Sequence, residues 1–113
     1  GGEPSMADDA YKSLQLGKII PSVNPVTIAD GLRTSLGNIT FTILSENIDE
    51  IILVEEDEII QAMKLIWERM KIVVEPSAAV SLAAVLKKKS MFTNRKVGVI
   101  LSGGNVDLTK LPF

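Results

Sequence analysis

A chain of 113 residues, 46% of them hydrophobic, carries enough apolar side chain for one small domain or part of one, which excludes a disordered segment. With 12 basic against 14 acidic residues and a net charge of −2, it has no excess of cations to neutralise phosphates, so nucleic acid is excluded as a partner. Cysteine and histidine are both absent, which removes disulfides, thiolate or imidazole zinc sites and any Ser-His-Asp triad.

In chain order, Ser5 and Asp8 stand at the spacing of a capping box and predict a short helix over residues 7–16, ended by Gly17. Pro21, Asn24 and Pro25 give residues 18–26 a loop composition, and Thr27 to Gly31 predicts a short helical or turn segment. Residues 35–48 are ambiguous. Glu50 to Val54 reads as a buried strand running into four acids, Glu55 to Glu58, which suit the positive end of a helix. That helix is the clearest element, because Ile59, Ile60, Met63, Ile66, Trp67 and Met70 recur at steps of three and four.

After Glu75 and Pro76, Ser77 can cap a second helix whose body, SAAVSLAAVL, is apolar almost all round. Lys87 to Lys89 then sit where the negative helix end favours cations. Lys96 to Leu101 reads as a buried strand ending at Ser102-Gly103-Gly104-Asn105. Helices alternating with short apolar strands predict an α/β layered fold with a partly parallel sheet. So few strands leave apolar faces uncovered on the 59–70 and 77–86 helices, so the sheet is expected to be incomplete, with further strands missing from this chain.

No apolar run approaches the roughly twenty residues needed to span a bilayer, so the chain is expected to be soluble, with no membrane partner. Gly1-Gly2 lead directly into Glu3 and Pro4, without the basic, apolar and small-residue order of a secretory signal. The missing initial methionine suggests a processed, tagged or cut N-terminus.

The best site candidate is the Ser102 to Asn105 turn, because ligands of open α/β sheets lie beyond the carboxyl ends of strands, although a bare turn explains SGGN as well. Glu3, Asp8 and Asp9 offer hard oxygen ligands for a hydrated divalent cation; read alone, they are a helix cap and solvated acids. Glu75 stands at a junction of two predicted helices, either against a ligand or as a surface charge. Trp67 belongs to the apolar stripe and is expected in the core.

Five segments in order, Glu3-Pro4-Ser5 with Ala7-Asp8-Asp9, Thr27 to Gly31, Trp67 to Lys71, Glu75-Pro76-Ser77, and Leu101 to Leu108, resemble serine racemase and the biodegradative threonine (serine) dehydratases. The resemblance covers essentially the whole chain and corresponds to the C-terminal third of a family member. It implies that residues 1–113 are the C-terminal part of the large domain of a fold-type-II pyridoxal-phosphate enzyme, with tryptophan synthase beta-like layers.

Ser102 matches the residue that hydrogen-bonds the pyridine nitrogen, where a neutral hydroxyl makes the ring a milder electron sink suited to elimination of a β-hydroxyl. Gly31, Glu75 and Gly103 match cofactor-site positions, and Thr34 a substrate-pocket position. Glu3, Asp9 and the Ala7 carbonyl match the divalent-cation site (Mg²⁺ or Ca²⁺), which reverses the bland interpretation of those acids. Lys71 and Asn105 match contacts to a nucleotide effector, ATP.

The implied activity is β-elimination of L-serine or L-threonine to the 2-oxo acid and ammonia, serine racemisation, or both, in a cytoplasmic homodimer acting on a small amino acid. The Schiff-base lysine and the phosphate-binding glycine loop of the family have no counterpart here, so no catalytic residue lies in this chain and the isolated chain is expected to be inactive. The alternative is a free-standing binding or interaction module retaining half of the fold without its chemistry.

Overall fold

The computed structural model describes residues 1–113 as an α/β assembly around one short parallel sheet. Strand β1 (Gly2–Pro4) pairs with β2 (Ile52–Val54), Gly2 opposite Ile52 and Pro4 opposite Val54. Parallel strands need a long crossover, and helices α1 (Asp9–Leu16) and α2 (Asn38–Asn47) lie within it. Gly17 ends α1 in the left-handed conformation, φ 65°, as its composition predicts. A short 3₁₀ turn covers Asp30–Leu32.

The strand expected over 50–54 forms only at residues 52–54, and α3 (Glu56–Met70) begins almost at once. The acids that precede and open it act as expected: the Glu58 carboxylate accepts the Glu55 backbone N–H at 2.7 Å, one half of a capping box. Glu58 also pairs with Lys87 at 2.9 Å, near the end of α4 (Pro76–Lys87), so one carboxylate serves the start of one helix and the end of the next. Partial burial pushes its pKa up, but the Glu55 amide and the Lys87 ammonium outweigh that and hold it below the ordinary glutamate value.

Ile59, Ala62, Met63 and Ile66 form the buried stripe of α3, at the spacing read from the sequence. They join Ala78, Ala79, Val80, Ala83 and Ala84 of α4 in one core, where the small alanines let the helices approach closely, and α4 also covers both strands. This corrects the expectation that the 59–70 and 77–86 helices keep unmatched apolar faces, because their stripes largely cover one another. The uncovered apolar surface lies elsewhere, on α2, where Ile39 is 80% exposed, and at Ile100, which is 82% exposed.

Lys96 to Leu101 is not a strand, contrary to its pattern, because no neighbouring strand pairs with it. It is tied through the Ile100 carbonyl, which accepts the Ser81 hydroxyl at 3.1 Å, and a cleft of about 330 Å³ separates residues 97–100 from Gly1, Gly2 and Ile52. No helix is long and apolar enough to cross a membrane. Because Met63 is fully buried between α3 and α4, Met63→Ala in the protein that carries this chain is expected to lower stability by about 2–5 kcal/mol in urea unfolding; a loss below about 1 kcal/mol would show that the two helices do not form the core described.

Candidate functional site

The start of α4 gathers residues from three distant segments. Glu75 occupies its N-cap position, with Pro76 in the first turn where a missing N–H costs nothing. The Glu75 backbone N–H donates to the Gly103 carbonyl at 3.0 Å, and its carboxylate Oε2 accepts the Asn105 backbone N–H at 3.0 Å. A Cβ on Gly103 would lie 2.9 Å from Glu75 Oε1, and one on Gly104 would lie 2.6 Å from the Val73 carbonyl oxygen. Both glycines are thus required by close approach, and the carboxylate is seated under the Ser102 to Asn105 turn.

Ser77 does not cap α4, as its position suggests it should. Its hydroxyl accepts the Gly31 N–H at 3.0 Å, which brings the Thr27–Gly31 segment to the same helix end. Gly31, Glu75, Ser77, Gly103 and Asn105 therefore converge at the helix N-terminus, where backbone N–H groups and the helix dipole favour electron-rich ligand atoms. Ser102 is exposed at the head of the turn. Thr34 is exposed in the loop beyond the 3₁₀ turn, and no hydrogen bond of its side chain ties it to this cluster.

Lys71 ends α3 in the left-handed conformation, φ 59°, and is exposed, as is Asn105. Trp67 is half-buried as the apolar stripe implies; its indole N–H donates to the Val74 carbonyl at 3.0 Å, and its ring meets Phe113 edge-on at 5.7 Å. These contacts support the Val73–Val74 stretch that leads into Glu75. Sequence reasoning misses Ser77 and Glu56, which hold the Thr27–Gly31 segment. The available signal for Ser77 is its place in Glu75-Pro76-Ser77; nothing in the local pattern points to Glu56.

At the other end of the sheet, Glu3 is buried on β1, and its two carboxylate oxygens accept the N–H groups of Ala10 and Tyr11 at 2.9 and 2.7 Å. Glu3 is therefore the side chain that caps α1. Asp8 occupies the N-cap position but makes no capping bond and pairs instead with Lys12 at 2.8 Å, while the Ser5 hydroxyl donates to Glu55. The capping box expected from Ser5 and Asp8 does not form. Ala7 and Asp9 are buried in the intervening turn, beside a cavity of about 190 Å³.

Burial pushes the pKa of Glu3 up, its two amide bonds pull it partly back, and the nearby Asp9 and Asp8 raise it further. Burial likewise pushes Asp9 up, opposed by backbone amides and aided by Asp8. No three carboxylates converge anywhere, so the cation expected here would have two carboxylates and the Ala7 carbonyl, a set that suits a hard, partly hydrated ion.

A carboxylate raised in the folded state favours folding when protonated, so its contribution is lost as pH rises from the ordinary value of 4.5 through the raised one. In the presence of a chelator, urea midpoints of the protein carrying this chain are expected to fall with rising pH over that interval relative to Glu3→Gln. Parallel curves for the two proteins would contradict a raised Glu3.

Residues 1–103 match the family described as pyridoxal-phosphate dependent enzyme. The chain is 56% identical to serine racemase of Dictyostelium discoideum, over 96% of this chain and 35% of that protein, and superposes on its crystal structure with a TM-score of 0.85, over 95% of this chain and 34% of that one. It is 49% identical to beta-hydroxyaspartate dehydratase of Paracoccus denitrificans, over 98% of this chain and 35% of that protein. The structure of maize serine racemase is similar at a TM-score of 0.88 and 42% identity, over 96% of this chain and 34% of that one. A crystal structure of a bacterial threonine deaminase, from T.th., is similar at a TM-score of 0.82 and 44% identity, over 94% of this chain and 39% of that one. The chain spans about a third of the length of the relatives it matches.

Proposed function

The chain belongs to the pyridoxal-phosphate dependent enzymes, and from that premise we propose that the protein carrying it acts on L-serine or L-threonine, by β-elimination to the 2-oxo acid and ammonia, by serine racemisation, or by both. The observation that carries this reading is the seat of Glu75 beneath Gly103 and Asn105, with exposed Ser102 at the head of the same turn. The donor chemistry fits the cofactor: a neutral hydroxyl for a pyridine nitrogen, a carboxylate held by backbone, and glycines that allow close approach.

When bound, pyridoxal phosphate supplies an electron sink for the bonds at the substrate Cα. Ser102 would hold the ring nitrogen by a hydrogen bond that brings no full charge, Glu75 would fix the turn bearing Ser102, and Gly31 would offer backbone without a side chain at the pocket wall. Thr34 is proposed to line the substrate side. The groups that move protons at Cα are proposed to lie outside these residues.

Glu3, Asp9 and the Ala7 carbonyl are proposed to hold Mg²⁺ or Ca²⁺, whose charge would offset the cost of burying two acids side by side. Lys71 and Asn105, at the exposed ends of the segments that meet at Glu75, are proposed to contact an ATP effector. A cytoplasmic homodimer is proposed for the complete protein.

The test is the visible spectrum of the protein carrying this chain after addition of pyridoxal phosphate. A lysine-bound cofactor band that borohydride abolishes, with release of 2-oxo acid or racemised serine, is expected; absence of both the band and the turnover would overturn the proposal. Ser102→Ala is expected to retain cofactor and lower kcat roughly tenfold, the scale of one lost hydrogen bond to the ring, while an unchanged kcat would remove Ser102 from that role.

A further inference from the structure

Glu56, the first residue of α3, belongs to none of the groups proposed to bind cofactor, substrate or metal. Its Oε2 accepts the Ile28 backbone N–H at 2.7 Å, across 28 residues of sequence. Its Oε1 is sealed from solvent and has no hydrogen-bond partner. A buried acceptor left empty is a cost to the fold, so local stability is a poor explanation for a carboxylate here. The sealed oxygen is also out of reach of any ligand, so Glu56 acts through Ile28.

Ile28 lies in the segment that carries Gly31. Thr27 and Ala29 on either side of it are buried, and the Arg33 guanidinium closes the segment on itself by donating to the Thr27 carbonyl. Two side chains from elsewhere then pin it: Glu56 at Ile28 and Ser77 at Gly31. One comes from the start of α3 and the other from the first turn of α4, the two helices that share the core. A segment held at one end only would keep its fold yet lose its register against the pocket.

We propose that Glu56 is a positioning residue that sets the place of the Gly31 segment against cofactor and substrate, an inference that rests on the proposed function. The contrast with a plain helix-start effect is available on the same helix. Asp57 also lies in the first turn of α3 and is exposed, so it interacts with the helix dipole without touching Ile28.

The experiment uses the complete holoprotein and its Glu56→Ala, Glu56→Gln, Glu56→Asp and Asp57→Ala variants, with the affinity for pyridoxal phosphate, KM, kcat and Tm measured for each. Glu56→Ala is expected to raise KM about tenfold and weaken cofactor binding at least about threefold, with kcat within about threefold of wild type. Glu56→Gln, which keeps an acceptor for Ile28, is expected to recover both within about twofold, and Asp57→Ala to leave KM unchanged whatever its Tm.

Wild-type KM and cofactor affinity in Glu56→Ala would overturn the inference, as would failure of Gln to rescue or an equal KM shift in Asp57→Ala. If Glu56→Ala does not fold, Glu56→Asp is read in its place: its shorter side chain withdraws the oxygen from Ile28 and is expected to raise KM, and an unchanged KM overturns the inference. A wild-type protein without cofactor absorbance or turnover contradicts the proposed function and this inference together, whereas normal wild-type behaviour with indifferent Glu56 variants sinks this inference alone.

Discussion

Glu75 holds together two stretches of chain that have no other reason to meet. Its backbone N–H donates to the Gly103 carbonyl, its carboxylate accepts the amide of Asn105, 30 residues further on, and the glycines between leave no room for a side chain against it. The place of Ser102 follows from this contact, because 96–101 has no strand partner to fix its register. Without the Glu75 seat, the turn would hang from the single bond between Ser81 and the Ile100 carbonyl and the apolar packing of Leu101 and Val106.

The rest of the chain can be understood as what gives Glu75 a fixed position. It stands where α3 and α4 are joined, so its coordinates are set by the packing of Ile59, Met63 and Ile66 on the alanines of α4. The Glu58–Lys87 pair closes the same two helices at their far ends, and Trp67 secures Val74 from below. The carboxylate helix cap at Glu3 and the Ser5–Glu55 bond then tie β1 and the loop after it to the start of α3.

Much of this is legible in the sequence where a local rule decides the outcome. The 3.6 period of α3, the proline and small-residue body of α4, and Gly17 as the left-handed cap of α1 each follow from neighbours a few residues away. The Ser102 to Asn105 segment is legible as a glycine turn, but the role of Glu75 is not, because the approach that makes Gly103 and Gly104 necessary comes from residues about thirty positions earlier.

The caps mislead for the same reason. Ser5 and Ser77 stand at capping spacing, yet their hydroxyls bond to Glu55 and Gly31, 50 and 46 residues away, and the cap of α1 comes from Glu3. In α2, the alternation of Ile39, Phe41 and Ile43 with threonines fits a strand, while the segment folds as a helix with most of its apolar side chains uncovered. Local pattern does not determine an element whose packing partners are absent, and the same holds for the apolar run 97–101.

The most direct measurement is a crystal structure of the complete protein with pyridoxal phosphate bound. Glu75 should still accept the Asn105 amide, with the Ser102 hydroxyl within about 2.7–3.2 Å of the pyridine nitrogen. A hydroxyl turned away from the ring, or a carboxylate withdrawn from the turn, would contradict the role given to this junction.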